Sequence, residues 1–327
     1  MKNDSLKTIA GVLDGAEKIL IFPHVNLDGD AVGSCAALCA GLRQKGKEAW
    51  VLLEDEIPAN LRFLDRGFCT TNQNVIKDPD VCICLDCSDS GRFPMRAEKF
   101  FSAPVTICAD HHMTEKFSCD YNYVDSREAA TGQIVYELLL NLGVDKDPLI
   151  GEAIYAAIAT DTGDFTYSNT QKKSHLIAAE LFDWGCDFNK VSVELYENVR
   201  VEKIRLRSAA MESLRIIGGG PGAMVTVTQD MLRKTGADMD ESEGLAQDLR
   251  SISGVEYSAV LKEYGPENIR VSLRAKRFGN VEDIARRLGG GGHVKAAGCT
   301  IRRPVSEAET LVEREILRAV KGLKKDE

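Results

Sequence analysis

The chain has 327 residues, enough for two domains that each bury a core. Its 44% hydrophobic and 28% charged residues argue against a disordered or membrane class. The formal net charge of −9 argues against wrapping a long duplex, which requires a dense basic surface, and leaves open a small anionic ligand in a local pocket.

From the N-terminus, no long apolar stretch ends in a small-residue cleavage site, so a cytoplasmic location is expected. Four short apolar runs follow, at 19–22, 49–53, 81–85 and 105–109, all far too short to span a bilayer. Helical patterns at 31–45, 131–142 and 149–159 lie between and after them. The alternation predicts an α/β fold with a doubly wound, mostly parallel sheet. Residues 172–216 read as helical throughout, with Gly185 as a stop signal, and form a helical connector. The Gly/Pro run at 218–222 then opens a smaller α/β unit, with strand-like stretches at 223–228, 257–262 and 269–273 and helices at 281–288 and 307–320. The ten cysteines are scattered through apolar runs and are expected to be buried and reduced. Cys84 and Cys87 have the spacing of a redox pair, but Cys84 lies inside a strand-like run rather than at the start of a helix.

Chemistry concentrates at the ends of the strands. His24-Val25-Asn26-Leu27-Asp28-Gly29-Asp30 follows the first run, Asp86 ends the third, and Asp110-His111-His112 ends the fourth. In an open α/β sheet these ends form the ligand crevice. Gly33 and Ser34 sit early in the next helix, whose N-terminus could help hold a phosphate. A lone aspartate after a strand is usually a turn residue or helix cap. Here three of the five histidines of the chain cluster with four carboxylates, a set that would repel itself without a cation. Asp161, at the end of an apolar helical run, is unfavourable beside a helix C-terminus unless a positive charge compensates it. The donors are oxygen and imidazole nitrogen with no thiolate, which favours manganese, magnesium or iron over structural zinc. They are too many for one ion, so two bridged ions and phosphoester or phosphoanhydride hydrolysis are expected.

These residues resemble the DHH phosphoesterase superfamily, whose name is the triplet Asp110-His111-His112 itself. The resemblance implies one divalent ion on His24, Asp28 and Asp86 and a second on Asp30, Asp86, His111 and Asp161, with Asp86 bridging. The ions would be Mn2+, with Mg2+ as the other choice. It also implies that His112 meets the substrate phosphate or acts as general acid, and that Asp110 orients the histidines from behind. Gly289-Gly290-Gly291-Gly292-His293, followed by Ala296-Ala297-Gly298, resembles the glycine-rich motif of the DHH-associated domain. Gly290, Gly291, Gly292 and His293 would bind substrate there, with Arg274 and Arg92 as further phosphate contacts. The implied organisation is a DHH catalytic domain at 1–187, a connector at 188–217 and a DHH-associated substrate-binding domain at 218–327. A chain with only these two lobes is similar to the nano-RNase and pAp phosphatase (bifunctional oligoribonuclease) group. Members of that group act on very short single-stranded RNA and on small nucleotide phosphates such as adenosine 3',5'-bisphosphate, and a homodimer is common among them. Two other readings compete: a phosphodiesterase for cyclic di-AMP or its linear product pApA, and a nucleotide sensor without catalysis.

Overall fold

A computed structural model describes residues 3–112 and 119–323, and the chain divides into two compact units at 198/199. In the first unit, α1 (Leu6–Gly15) leads into β1 (Lys18–Phe22), α2 (Gly29–Gln44) and β2 (Glu48–Leu52). Then come β3 (Cys69–Thr70), β4 (Val81–Leu85), α3 (Ala97–Phe101), β5 (Val105–Asp110) and β6 (Tyr121–Val124). Four helices close the unit: α4 (Thr131–Leu142), α5 (Pro148–Asp161), α6 (Lys172–Phe182) and α7 (Phe188–Ser192). Among the described residues the sheet has six strands in the order β3-β2-β1-β4-β5-β6, and every pairing is parallel.

The central strands are apolar on both faces because both faces are covered. Ile19 and Ile21 of β1, Ile83 and Leu85 of β4, and Ile107 of β5 pack into the core built with α1, α2, α4 and α5. Their alternate neighbours Leu20, Phe22, Cys82, Cys84 and Cys108 face a second core containing Phe93 and Phe100. Phe22 meets Phe100 edge-on at 5.2 Å, an arrangement that suits ring quadrupoles. The cysteines thus serve as small apolar filling in this layer, and all ten are free thiols. Sheet order reverses between β1 and β4, the kind of switch point beyond whose strand carboxyl ends open α/β sheets bind their ligands.

The second unit contains α8 (Val201–Glu212), β7 (Arg215–Ile217), β8 (Gly222–Val227), α9 (Gln229–Thr235), α10 (Leu245–Ser251), β9 (Tyr257–Gly265) and β10 (Asn268–Ala275). It ends with α11 (Glu282–Arg287), β11 (Gly291–Gly292), β12 (Ala296–Ile301) and α12 (Val305–Leu323). The strands form a mixed sheet in the order β11-β12-β10-β9-β8-β7, in which only β8 and β9 run parallel among the described pairings. One face packs on α11 and α12 through Ile284, Val312 and Ile316; the other packs on α8 and α10 through Leu206, Ala210 and Leu249.

The stretch 172–216 is not helical throughout. The helical path breaks at 198–200, and Arg215 to Ile217 form a strand that pairs antiparallel with β8. Gly185 does end a helical segment, at φ 78°, which is the left-handed stop a residue without a Cβ takes easily. Among the described residues no helix is long and apolar enough to cross a membrane.

Candidate metal centre

Each acidic or imidazole group in the crevice is placed by a backbone feature. His24 follows β1 by two residues and is 2% exposed; its Nδ1 bonds to the carbonyl of Val25 at 2.7 Å, which turns Nε2 toward the carboxylates. Asp28 caps α2, accepting from the Ala31 amide at 3.0 Å through one oxygen. Asp30, fully buried, reaches the N-terminus of α4. There its carboxylate accepts from the Thr131 and Gly132 amides at 2.7 and 2.9 Å and from the Ser34 hydroxyl at 3.0 Å. A helix N-terminus carries partial positive charge, so an anion buried there is partly compensated. Asp86 directly follows β4 in a left-handed conformation, φ 56°, which is strained for a residue with a Cβ and is tolerated where the surroundings impose it.

Three groups of ligand atoms result, each with members within 4.8 Å of one another: His24, Asp28 and Asp86; Asp30, His111 and Asp161; and Asp86, His111 and His112. Asp86 lies between the first two. Its Oδ2 is 3.3 Å from His24 Nε2 and its Oδ1 is 3.5 Å from His111 Nε2. Asp161, the last residue of α5, has Oδ2 3.2 Å from His111 Nε2. His111 Nδ1 bonds to the Glu128 carbonyl at 3.2 Å, which aims Nε2 into the cluster. His112 Nδ1 is 2.9 Å from Asp110 Oδ1, which also accepts from the backbone amide of His112 at 2.9 Å.

Electrostatics separate the groups. Burial lowers the pKa of each of the three imidazoles, but neighbouring carboxylates outweigh it. Asp28 and Asp86 raise His24 to about 10, Asp161, Asp30 and Asp86 raise His111 to about 9, and Asp110 and Asp86 raise His112 to about 11. Asp30 is pushed well above the usual carboxylate range by burial and then by Asp86 and Asp161; Asp161 is raised chiefly by burial. At Asp86 burial also raises the pKa, but the neighbouring imidazoles of His112, His24 and His111 outweigh it and hold it below the usual range. Like charges crowded this closely call for a cation.

The residues fit a divalent cation. His24 Nε2 and His111 Nε2 are buried and have no hydrogen-bond partner, although each faces two or three carboxylate oxygens. An orphaned imidazole nitrogen aimed at carboxylates is the signature of a ligand.

The other expected residues fall into two places. Arg92 stands beside this cluster, its guanidinium 3.5 Å from the Asp86 carbonyl. Arg274, on β10, and the glycine run belong to the second unit. There the Gly289 and Gly290 amides bond to the Arg286 and Ala285 carbonyls and stop α11, while Gly291 and Gly292 pair with β12. A Cβ on Gly290 would lie 2.1 Å from the Gly298 carbonyl oxygen, and Gly292 has φ 142°. Strand approach and backbone conformation both require glycine there. The run is therefore no linker, and His293 closes its turn by exchanging backbone bonds with Ala296 at 2.7 and 3.1 Å.

Gly33 and Ser34 both pack inward. A Cβ on Gly33 would be 2.5 Å from the Ala153 carbonyl of α5, and Ser34 is buried against Asp30. Sequence reasoning missed Thr131, whose hydroxyl donates to Asp86 Oδ1 at 3.0 Å and whose amide holds Asp30. A threonine opening a helix without a capping side chain before it was the available signal.

Two family models match: the DHH family, N-terminal domain, over residues 18–160, and the DHHA1 domain over residues 198–322. A bifunctional oligoribonuclease and PAP phosphatase NrnA from Thermus thermophilus is 31% identical over 308 residues, 91% of this chain and 89% of that protein. A protein of the same name from Bacillus subtilis is 27% identical, over 92% of this chain and 93% of its own length. The crystal structure of an exopolyphosphatase-related protein from Bacteroides fragilis superposes with a TM-score of 0.91 at 25% identity, covering 98% of this chain and 97% of that one.

Proposed function

The chain belongs to the DHH family and carries a DHHA1 domain, and on that premise we propose that it is a metal-dependent phosphoesterase for very short RNA and for small nucleotide phosphates such as adenosine 3',5'-bisphosphate. The observation that carries this reading is the placement of Asp86, one oxygen toward the orphaned His24 Nε2 and the other toward the orphaned His111 Nε2. The names of the Thermus and Bacillus relatives support the substrate class.

In this reading two ions occupy the centre. His24, Asp28 and Asp86 hold one; Asp30, Asp86, His111 and Asp161 hold the other. Manganese suits the oxygen and imidazole donor set, and magnesium is the second choice. When bound, a pair of divalent cations lowers the pKa of a water and neutralises charge on a phosphoryl group. The protein's own residues do the rest. Asp110 fixes the His112 ring through Nδ1 and keeps it charged near neutral pH, so His112 can donate a hydrogen bond to a phosphate oxygen or a proton to the leaving oxygen. Arg92 adds a fixed positive charge beside Asp86 for the phosphate. In the second unit, Gly290, Gly291, Gly292, His293 and Arg274 bind the nucleotide. We take the protein to work in the cytoplasm, as a homodimer, on single-stranded or mononucleotide substrates and not on long duplexes.

A substrate panel tests the proposal: adenosine 3',5'-bisphosphate, a labelled RNA dimer, a longer RNA and cyclic di-AMP, each with manganese and then magnesium. Release of phosphate from the bisphosphate or of monomers from the dimer is expected. Preference for cyclic di-AMP would overturn the substrate assignment, and binding without any product would overturn the enzymatic one.

A further inference from the structure

The second unit holds a buried carboxylate that the metal centre does not use. Glu256, 4% exposed, accepts through Oε1 from three successive backbone amides, those of Arg277 at 2.8 Å, Phe278 at 3.0 Å and Gly279 at 2.7 Å. Three amides converging on one oxygen form an anion nest filled by the protein's own side chain. The loop is thereby fixed from inside.

It is also tied to the turn that carries His293. Lys295 Nζ donates to the Arg277 and Gly279 carbonyls at 2.6 and 3.0 Å. The Ala275 amide donates to the Lys295 carbonyl at 3.0 Å, and the Val281 amide to the Val294 carbonyl at 2.9 Å. Loop 276–280 and turn 293–295 thus form one hydrogen-bonded piece. Phe278 projects from it, 65% exposed, with Val294 46% exposed and with Arg277 and His293 also at the surface.

A lone exposed apolar side chain is ordinary. This ring differs because its backbone is held by a buried carboxylate and because an arginine and a histidine share the same hydrogen-bonded piece. A flat apolar face on the same piece of backbone as an exposed arginine and an exposed histidine suits a nucleotide, with base on ring and phosphate on the donors. We propose that Phe278 is a specificity residue on which a nucleobase of the substrate stacks, with Glu256 positioning it. The assignment rests on the reading of the chain as an enzyme for nucleotide substrates. Every base has a π-face, so the contact selects for the presence of a base rather than its identity.

Two measurements on the full chain test it. In the first, Phe278→Ala and Phe278→Trp are compared with the parent on an RNA dimer and on the same dimer lacking its bases. For the alanine variant kcat/KM on the dimer should fall about tenfold or more, mainly through KM. The fall on the baseless compound should be several-fold smaller, and the tryptophan variant should stay near the parent. Equal losses on both compounds would overturn the stacking role. In the second, the fluorescence of Phe278→Trp, less that of the parent, is titrated with adenosine 5'-monophosphate and with ribose 5-phosphate. Quenching by the nucleotide alone supports stacking whether or not any substrate is hydrolysed, so an inactive parent with quenching would sink the enzymatic reading and leave this one standing. Absence of quenching in an active protein would overturn the stacking proposal alone.

Discussion

Arg96 is the bulkiest of the fully buried side chains among the described residues, and its guanidinium ties two other chain segments to its own. It donates to Glu54 Oε1 at 3.1 Å, to the Pro23 carbonyl at 2.9 Å and to the Leu52 carbonyl, with the rings of Phe22 and Phe93 5.9 Å away. Arg96→Met keeps most of the apolar stem but strands the Glu54 carboxylate, 6% exposed, and leaves two carbonyls without this donor. Removing one partner of a buried pair costs about 3–5 kcal/mol. Glu54 retains the Met95 and Arg96 amides at 2.9 and 3.2 Å, which favours the lower end, about 3 kcal/mol or roughly a hundredfold in the folding equilibrium. The two tryptophans of the chain, Trp50 and Trp184, both lie in the first unit, so a urea titration followed by their emission reads that unit. The double variant Arg96→Met/Glu54→Gln removes the stranded charge, keeps an acceptor for the two amides, and should recover about 1–2 kcal/mol. A loss under about 1 kcal/mol in the single variant, or a double variant no more stable than the single, would refute this account of the pair.

Two further outcomes concern the metal centre. Asp86→Ala should lower kcat by about a thousandfold or more, because the carboxylate faces both ligand groups; near-normal turnover in a manganese assay would rule out the bridge. His24 and His111, raised to about 10 and about 9, are protonated at neutral pH in protein stripped by a chelator. Their protonated forms stabilise that protein fully below the ordinary imidazole value of about 6.5, and the contribution is lost as pH rises through their folded values. Manganese needs the neutral rings, so its binding should release protons and tighten between about pH 7 and 9. Calorimetry in two buffers of different ionisation enthalpy counts those protons, and a count of zero at pH 7.5 contradicts the ligand assignment.

What was legible in the sequence followed from burial. β1, β2, β4 and β5 read as largely apolar runs because each packs on both faces, and the rule that ligands gather beyond strand ends pointed to His24, Asp86 and Asp110 to His112 from there. β3, two residues long, and β6, with one buried residue in four, carry too little apolar signal to be seen. β7 escaped for a related reason: Arg215 and Ile216 are exposed, and only pairing with β8 makes them a strand. β12 lay hidden among the small residues after His293. Partners such as Thr131 and the Glu128 carbonyl become neighbours of Asp86 and His111 only through tertiary packing, and no local pattern announces them.

The ligand groups are spread along the chain from His24 to Asp161, and the two that face each other across the sheet reversal are joined only when β1 and β4 lie side by side. No short stretch emerging from a ribosome could present a complete set. The group of Asp30, His111 and Asp161 is complete only once α5 has been synthesised and has docked, so full ion uptake by a nascent polypeptide would serve as a readout of finished folding in this lobe. A translation arrest placed before residue 161 should yield chains that lack the Asp30, His111 and Asp161 group and so retain less manganese than the finished lobe, whatever their helical content.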